Sequence, residues 1–178
     1  MGLGNPGREY ADTRHNIGFM ILDQLAARKG FAFKKDRKWH AELAAHEGIH
    51  YCKPLSFMNL SGEPVSSLSG FYKIPPAGIL AVFDDVALPL GKLRFRPSGS
   101  DGGHNGMGSL IQCLGTDEIP RLRFGIGAAE GATPLTSHVL GRFSSDEAPL
   151  LRDAIARAAD AVEFATASGL TAAMNQFN

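Results

Sequence analysis

The apolar run Ile79-Leu80-Ala81-Val82-Phe83 ends without transition in Asp84-Asp85. A short run that is apolar at every position, rather than at alternate ones, belongs in a strand buried on both faces. Such a strand needs helices above and below it, and the periodicity of the chain supplies them. Asn16 to about Lys29 carries Ile17, Met20, Ile21 and Leu25 at helical spacing, with Gly30 as its stop. Ser61 to about Tyr72 reads as a second helix, ended by Pro75-Pro76, and Gly106–Leu114 as a short third. Pro149 to about Ser168 reads as a long alanine-rich helix, followed by a shorter helical segment. Trp39–Ala45 and Ile49–Leu55 read as two strands joined at Glu47-Gly48, with further strands at Lys92–Arg96 and Leu122–Ile126. Strands alternating with helices, with a hairpin inserted, predict an α/β fold: one domain over residues 1–178, with a mixed, mostly parallel twisted sheet covered by helices on both faces.

A chain of 178 residues is long enough to bury a core without staples, so nothing in the fold requires its two cysteines, Cys52 and Cys113, to pair. They lie in apolar surroundings without metal-ligand spacing and are expected to be buried free thiols, which suits a reducing cytoplasm. No apolar run approaches membrane-spanning length and no signal peptide precedes the first motif, so a cytoplasmic location without membrane contact is expected.

The formal net charge is zero, which on its face disfavours nucleic acid, but the charges are unevenly spread. Residues 1–100 hold 13 Lys+Arg against 9 Asp+Glu, a surplus of +4; residues 101–178 hold 5 against 9, a deficit of −4. Lys34, Lys35, Arg37 and Lys38 cluster, and Lys92, Arg94 and Arg96 share one predicted strand. A locally basic face can hold phosphates on a neutral molecule, although a charge run such as Lys34–Lys38 is equally at home as a solvated surface.

Five polar residues, Asn5, His15, Asn59, Asp84 and Asn105, fall in separate loops, most of them punctuated by glycine or proline. One histidine, one carboxylate and several amides suit the polarisation of a water and the cradling of an oxyanion. None of these segments supplies an activated serine or cysteine. If they converge, the chemistry is hydrolysis by water of a carbonyl or phosphoryl ester. Asn5, Asp84 and Asn59 each follow a predicted strand, and ligands in α/β sheets gather at the carboxyl ends of strands. Each residue also has a bland reading. An Asn beside Gly is commonly a turn residue, and a strand-end aspartate commonly caps a turn. Asp85 competes with Asp84 as a histidine partner.

Two literal motifs fail on context. Gly2-Leu3-Gly4-Asn5-Pro6-Gly7 spells GxGxxG, but only Met1 precedes it and the next predicted helix begins near Asn16, so it lacks the strand and helix of a dinucleotide site. His46-Glu47-Gly48-Ile49-His50 spells HExxH, but zinc ligation needs both histidines on one helical face, and Gly48 with Ile49–Cys52 indicates a hairpin.

Taken in order, GLGNPG, TRHNIGF, FMNLSG, GGHNG and PRLRFGIG resemble the bacterial-type peptidyl-tRNA hydrolase family over nearly the whole chain. That resemblance implies a monomeric esterase that needs no metal or organic cofactor and frees tRNA from a peptide still joined to its 3′ end. It implies His15 as the catalytic base, Asp84 as its partner and Asn5 as the group placing the water or carbonyl. It further implies Tyr10, Met58, Asn59, Asn105 and His104 in substrate binding, and Arg96 with Arg123 as a clamp for the 5′ phosphate of the tRNA. Gly131 to Gly141 would be a lid over the cleft. The alternative within the same fold is an RNA-binding relative serving as a splicing cofactor. Three departures stand out. Ala87 occupies a position where relatives carry aspartate, Arg96 one where lysine is common, and the β-branched strand expected before GLGNPG is represented only by Met1. From these, either a start upstream of Met1 or a compensating contact is expected.

Overall fold

The computed structural model describes residues 1–129 and 131–178. A 3-10 turn at Arg14–Asn16 leads into α1 (Ile17–Lys29). Strands β1 (Lys34–Asp36), β2 (Ala41–His46) and β3 (Ile49–Pro54) follow, then a 3-10 turn at Met58–Leu60 and α2 (Gly62–Tyr72). Next come β4 (Ala81–Asp85), β5 (Leu93–Arg96), α3 (Asn105–Leu114) and β6 (Arg121–Gly125). The chain closes with α4 (Leu135–Val139), α5 (Ala148–Ser168) and α6 (Leu170–Phe177). No helix among the described residues is long and apolar enough to cross a membrane.

The strands form two three-stranded sheets, ordered β1-β2-β3 and β4-β6-β5. The expected mostly parallel sheet is not what forms: among the named strands only β4 and β6 pair in parallel, with one further parallel bridge between Gly2 and Val82. The reason lies in connection length. Parallel neighbours need a crossover of a dozen or more residues, whereas Glu47-Gly48 joins β2 to β3 directly and the Val86–Lys92 link carries β5 to the far edge of β6, where it runs antiparallel. Glu47 and Gly48 both adopt positive φ (50° and 78°), the geometry of the two-residue turn that suits a twisted hairpin. The basic segment Lys34–Asp36, read from sequence only as a charge cluster, adds an edge strand to that hairpin.

Met1–Leu3 join the two sheets. Gly2 N–H donates to the Cys52 carbonyl (3.0 Å), Leu3 N–H to Val82 (2.9 Å), and Val82 N–H returns to Met1 (2.9 Å). The Met1 ammonium is buried against the Leu80 carbonyl at 2.7 Å, and burial lowers its pKa. This seam leaves no room for side chains where α1 crosses it: a Cβ on Gly18 would lie 2.4 Å from the Val82 carbonyl and 2.5 Å from Leu3 N.

Alternation along β4 sends Val82 to one core and Ala81 and Phe83 to the other. The first core joins Ile17, Ile21, Leu22 and Leu25 of α1 to Ala158, Ala159 and Ala161 of α5 and to Phe95, Leu122 and Phe124 of the sheet. The second joins α2 and α3 to Leu3, Cys52 and Met58. The cysteine expectation divides here. Cys52 is buried, and burial pushes its thiol up to about 11, but Cys113 lies exposed on α3. One cysteine should therefore react quickly with a thiol reagent at pH 8 and the other only on denaturation; two fast thiols would contradict this packing.

Candidate active site

Asp84 stands on β4 two residues beyond Val82, so strand alternation turns it toward α1, and Asp85 takes the opposite face. That settles which carboxylate meets the histidine. His15, in the 3-10 turn that opens α1, places Nδ1 2.8 Å from Asp84 Oδ1. His104, at the N-cap of α3, places Nε2 3.0 Å from the same oxygen. All three side chains are at least nine-tenths buried. Desolvation opposes ionisation of Asp84, but the charges and hydrogen bonds of His104 and His15 outweigh it and hold the carboxyl well below its ordinary range.

An ionised carboxylate only accepts, so His15 must donate through Nδ1, leaving its Nε2 as the acceptor. His104 is fixed independently. Its Nδ1 accepts the Met107 N–H at 3.2 Å, the helix cap, so its Nε2 carries the proton given to Asp84. These three residues are also the group among those described whose ligand atoms lie close enough to hold a metal ion, within 4.8 Å of one another.

Asn5 is held from both sides. Its backbone N–H donates to Asn16 Oδ1 and its carbonyl accepts from Asn16 Nδ2, each at 2.9 Å. Its side-chain Oδ1 accepts the Met58 N–H at 2.8 Å. A backbone donor demands the oxygen end of the amide, so the orientation is fixed and Nδ2 is the end left for another partner. Gly106 lets α3 approach this junction, since a Cβ there would meet Met58 Sδ at 2.6 Å.

A cavity of about 340 Å³ opens beside the histidines. It brings together His15, Asp84, His104, Asn105, Arg96 and Arg123, with Leu135, Thr136 and Val139 of α4 along one wall. The segment Gly131–Gly141 thus contributes a short helix to the cavity rim. Arg96 and Arg123 project from the face of β5 and β6 opposite the one that buries Phe95, Leu122 and Phe124. Arg123 is paired with Asp85, whereas among the described residues Arg96 bonds only the Phe95 carbonyl. Met58 is buried under the Asn5 contact. Asn59 is exposed on the 3-10 turn, and Tyr10 stacks edge-to-face on Phe57 (6.5 Å), both outside the cavity.

Sequence reasoning missed three supports. Asn16, read from sequence only as the start of a helix, is the clamp on Asn5. Arg14 makes a bidentate pair with Glu147 (2.9 and 2.8 Å) and lies over the Phe143 ring, tying the His15 turn to the start of α5; nothing in sequence links positions 133 apart. Arg121 donates to the Ser100, Asp117 and Ile119 carbonyls and pins the loop that carries His104. The two rejected motifs stay rejected. Gly7 leads into turns rather than a helix, and His46 and His50 point to opposite faces of their hairpin, stacked on Phe31 and Tyr72.

A family model described as peptidyl-tRNA hydrolase matches residues 1–178. The chain belongs to the peptidyl-tRNA hydrolase family. The peptidyl-tRNA hydrolase of Akkermansia muciniphila is 49% identical, covering all of this chain and 94% of the relative. That of Geobacillus kaustophilus is 45% identical, covering all of this chain and 97% of the relative. The crystal structure of the peptidyl-tRNA hydrolase from Acinetobacter baumannii superposes with a TM-score of 0.91 at 38% identity, covering 99% of this chain and 92% of that one. The splicing-cofactor alternative finds no support among these relatives.

The lowered Asp84 pKa has a consequence for stability. A carboxyl depressed on folding contributes fully above its unfolded value, near 3.8, and loses that contribution as pH falls toward the folded value. In urea unfolding, wild type should therefore lose stability more steeply below about pH 4 than Asp84→Asn does. Parallel pH profiles for the two proteins would show that Asp84 is not the group being titrated.

Proposed function

We infer that this protein is an esterase of peptidyl-tRNA, hydrolysing the bond between an N-blocked peptide or aminoacyl group and the 3′ end of tRNA. The full-length family match carries the activity. The pairing of His15 with Asp84, and the clamp on Asn5 by Asn16, the residue after His15, support the residue roles.

In this reading His15 Nε2 takes a proton from water while Nδ1–H stays bonded to Asp84, whose negative charge stabilises the imidazolium as it forms. The hydroxide attacks the ester carbonyl, and the oxyanion accepts a hydrogen bond from Asn5 Nδ2. Collapse of the tetrahedral intermediate expels the tRNA 3′ oxygen, which takes the proton back from His15. His104 bonds the same Asp84 oxygen as His15 and so helps to hold that oxygen in place. Asn59 and Asn105 offer donors and acceptors to the peptide and the tRNA terminus, with Met58 as an apolar wall and Tyr10 flanking it. Arg96, the less committed of the two clamp arginines, meets the 5′ phosphate, and Arg123 supports it. The reading calls for no metal, no organic cofactor and no second subunit, in the cytoplasm.

The deciding experiment follows acyl release from N-acetyl-aminoacyl-tRNA and from unblocked aminoacyl-tRNA, with and without chelator. Rapid, chelator-insensitive release from the blocked substrate alone is expected; equal release from both, or loss with chelator, would contradict the proposed chemistry. His15→Ala should lower kcat by about a hundredfold or more with tRNA binding preserved, and unchanged turnover would remove His15 from the mechanism. Arg96→Ala should weaken tRNA binding and reduce its log–log salt slope by about one phosphate's worth. An unaltered slope would discard the clamp.

A further inference from the structure

A second groove, lined in part by Pro6, Gly7 and Arg8 just after Asn5 in sequence, shares no lining residue with the histidine cavity. Its volume is about 850 Å³, its floor is Pro6-Gly7, and its walls come from Leu55 and the β1–β2 turn. Arg8, Lys35, Arg37 and His40 line it, all solvent-exposed.

What distinguishes these cations is their convergence on one groove, since other cations such as Lys73, Arg94 and Arg152 also hold no carboxylate among the described residues. Elsewhere Arg14, Arg28, Lys29, Lys53 and Arg123 each hold a carboxylate. Among the described residues, Arg8, Lys35 and Arg37 hold none, nor do their neighbours Lys34 and Lys38. The two acids in the groove are already committed. Asp36 Oδ1 accepts the Lys38 and Trp39 N–H groups of its own turn (2.9 and 3.4 Å), and Glu42 pairs with Lys53 at 2.9 Å. Positive charge is thus displayed on two separate elements, the Asn5 loop and the hairpin, facing one channel.

Close in sequence to the lining residues Ala11 and Leu55 is an aromatic pair, Tyr10 and Phe57, which does not itself line the groove. Phe57, 58% exposed, stands beside Tyr10 between Leu55 and the Met58–Leu60 turn. Cations without acid partners near one exposed aromatic ring, Phe57, are the makings of a single-strand RNA path, with charge for the phosphates and a ring for a base. Arg8 and Arg37 can each take a phosphate bidentately.

We propose that the groove lined by Arg8, Lys35 and Arg37 is a second phosphate-binding track for RNA, holding the backbone of the substrate's single-stranded 3′ end. The tRNA is then gripped on both sides of His15, by Arg96 on one flank and by this groove on the other. The ester is thereby placed between two phosphate contacts rather than hanging from one. The proposal rests on the esterase reading above, but binding of uncharged tRNA tests it independently of hydrolysis.

The experiment measures the salt dependence of Kd for deacylated tRNA by fluorescence anisotropy. The proteins are wild type, Lys35→Ala/Arg37→Ala, Arg8→Ala, Arg37→Lys, and Arg152→Ala, an exposed charge on α5, as a control for net charge. The same proteins are then measured with a short RNA ending in the single-stranded 3′ sequence, and hydrolysis is followed in parallel. The double variant should bind tRNA about 5–20-fold more weakly at low salt and lower the log–log slope by about 1.4, two single-strand phosphates at roughly 0.7 each. Arg8→Ala, on a different element, should give about half that slope change, and Arg37→Lys should retain the wild-type slope. The short RNA should show the same loss, which assigns the contact to the single strand rather than the duplex. Wild-type slopes in both the double variant and Arg8→Ala would overturn the proposal, as would a loss no larger than that of Arg152→Ala. A loss seen with full tRNA but absent with the short RNA would also overturn it, by moving the contact to the duplex. A KM change confined to substrates with acidic peptides, at unchanged tRNA slope, would overturn it in favour of a peptide groove. Failure of wild type to hydrolyse the blocked substrate would strike the esterase reading and leave the tRNA slopes to judge the groove.

Discussion

One carboxylate oxygen, Asp84 Oδ1, receives two imidazoles, one from 69 residues before it and one from 20 after, and the site is organised around it. A buried carboxylate with one hydrogen bond would be poorly compensated for desolvation; with two donors it stays ionised. Its position in turn requires β4, which reaches it through the core, and α1 and α3, whose first turns deliver His15 and His104. Each histidine is held at a helix start, where backbone geometry rather than a long side chain sets its place. The tautomer of each follows from its partners: Asp84 accepts from both, and the Met107 N–H occupies the far side of His104.

Around that centre the supports are mostly backbone contacts. Asn16 grips both polar atoms of the Asn5 peptide, and the Met58 N–H orients the Asn5 amide. Removing any one leaves a buried polar group unpaired, which costs about 1–3 kcal/mol, so the placement of Asn5 is over-determined. Rigid placement matters because a donor aimed at an oxyanion stabilises it only if it need not reorganise as charge develops. The cations divide by function in the same way. Arg14 and Arg121 are consumed in tying loops together, while Arg96 and the Arg8–Arg37 groove keep their charge turned outward.

Much of this was legible from local pattern. The continuous apolar run Ile79–Phe83 announced a buried strand, the spacing from Ile17 to Leu25 announced α1, and Glu47-Gly48 announced the hairpin turn that disposed of the HExxH motif. Of the five polar residues expected to converge, His15, Asp84 and Asn105 line one cavity together with His104, whereas Asn5 and Asn59 do not line it. Strand direction was not legible, because alternating elements look the same whether a connection crosses over or folds back, and among the named strands only β4 with β6 proved parallel. Nor was the exposure of Cys113, since apolar neighbours in sequence on a short helix do not say which of its sides faces water.

The sequence alone determined which residue types were available and where local structure would begin and end, because helix period, turn chemistry and apolar runs are properties of neighbouring residues. It carried the family through motifs whose residues are a few positions apart. Tertiary structure decided what no local rule contains: that Asp84 rather than Asp85 faces His15, that His104 shares its oxygen, and that Arg14 finds Glu147. It also decided that Arg8 and Arg37 line one groove. Those pairings join residues separated by tens of positions, and they exist only because β4, α1 and α3 pack where their buried faces require.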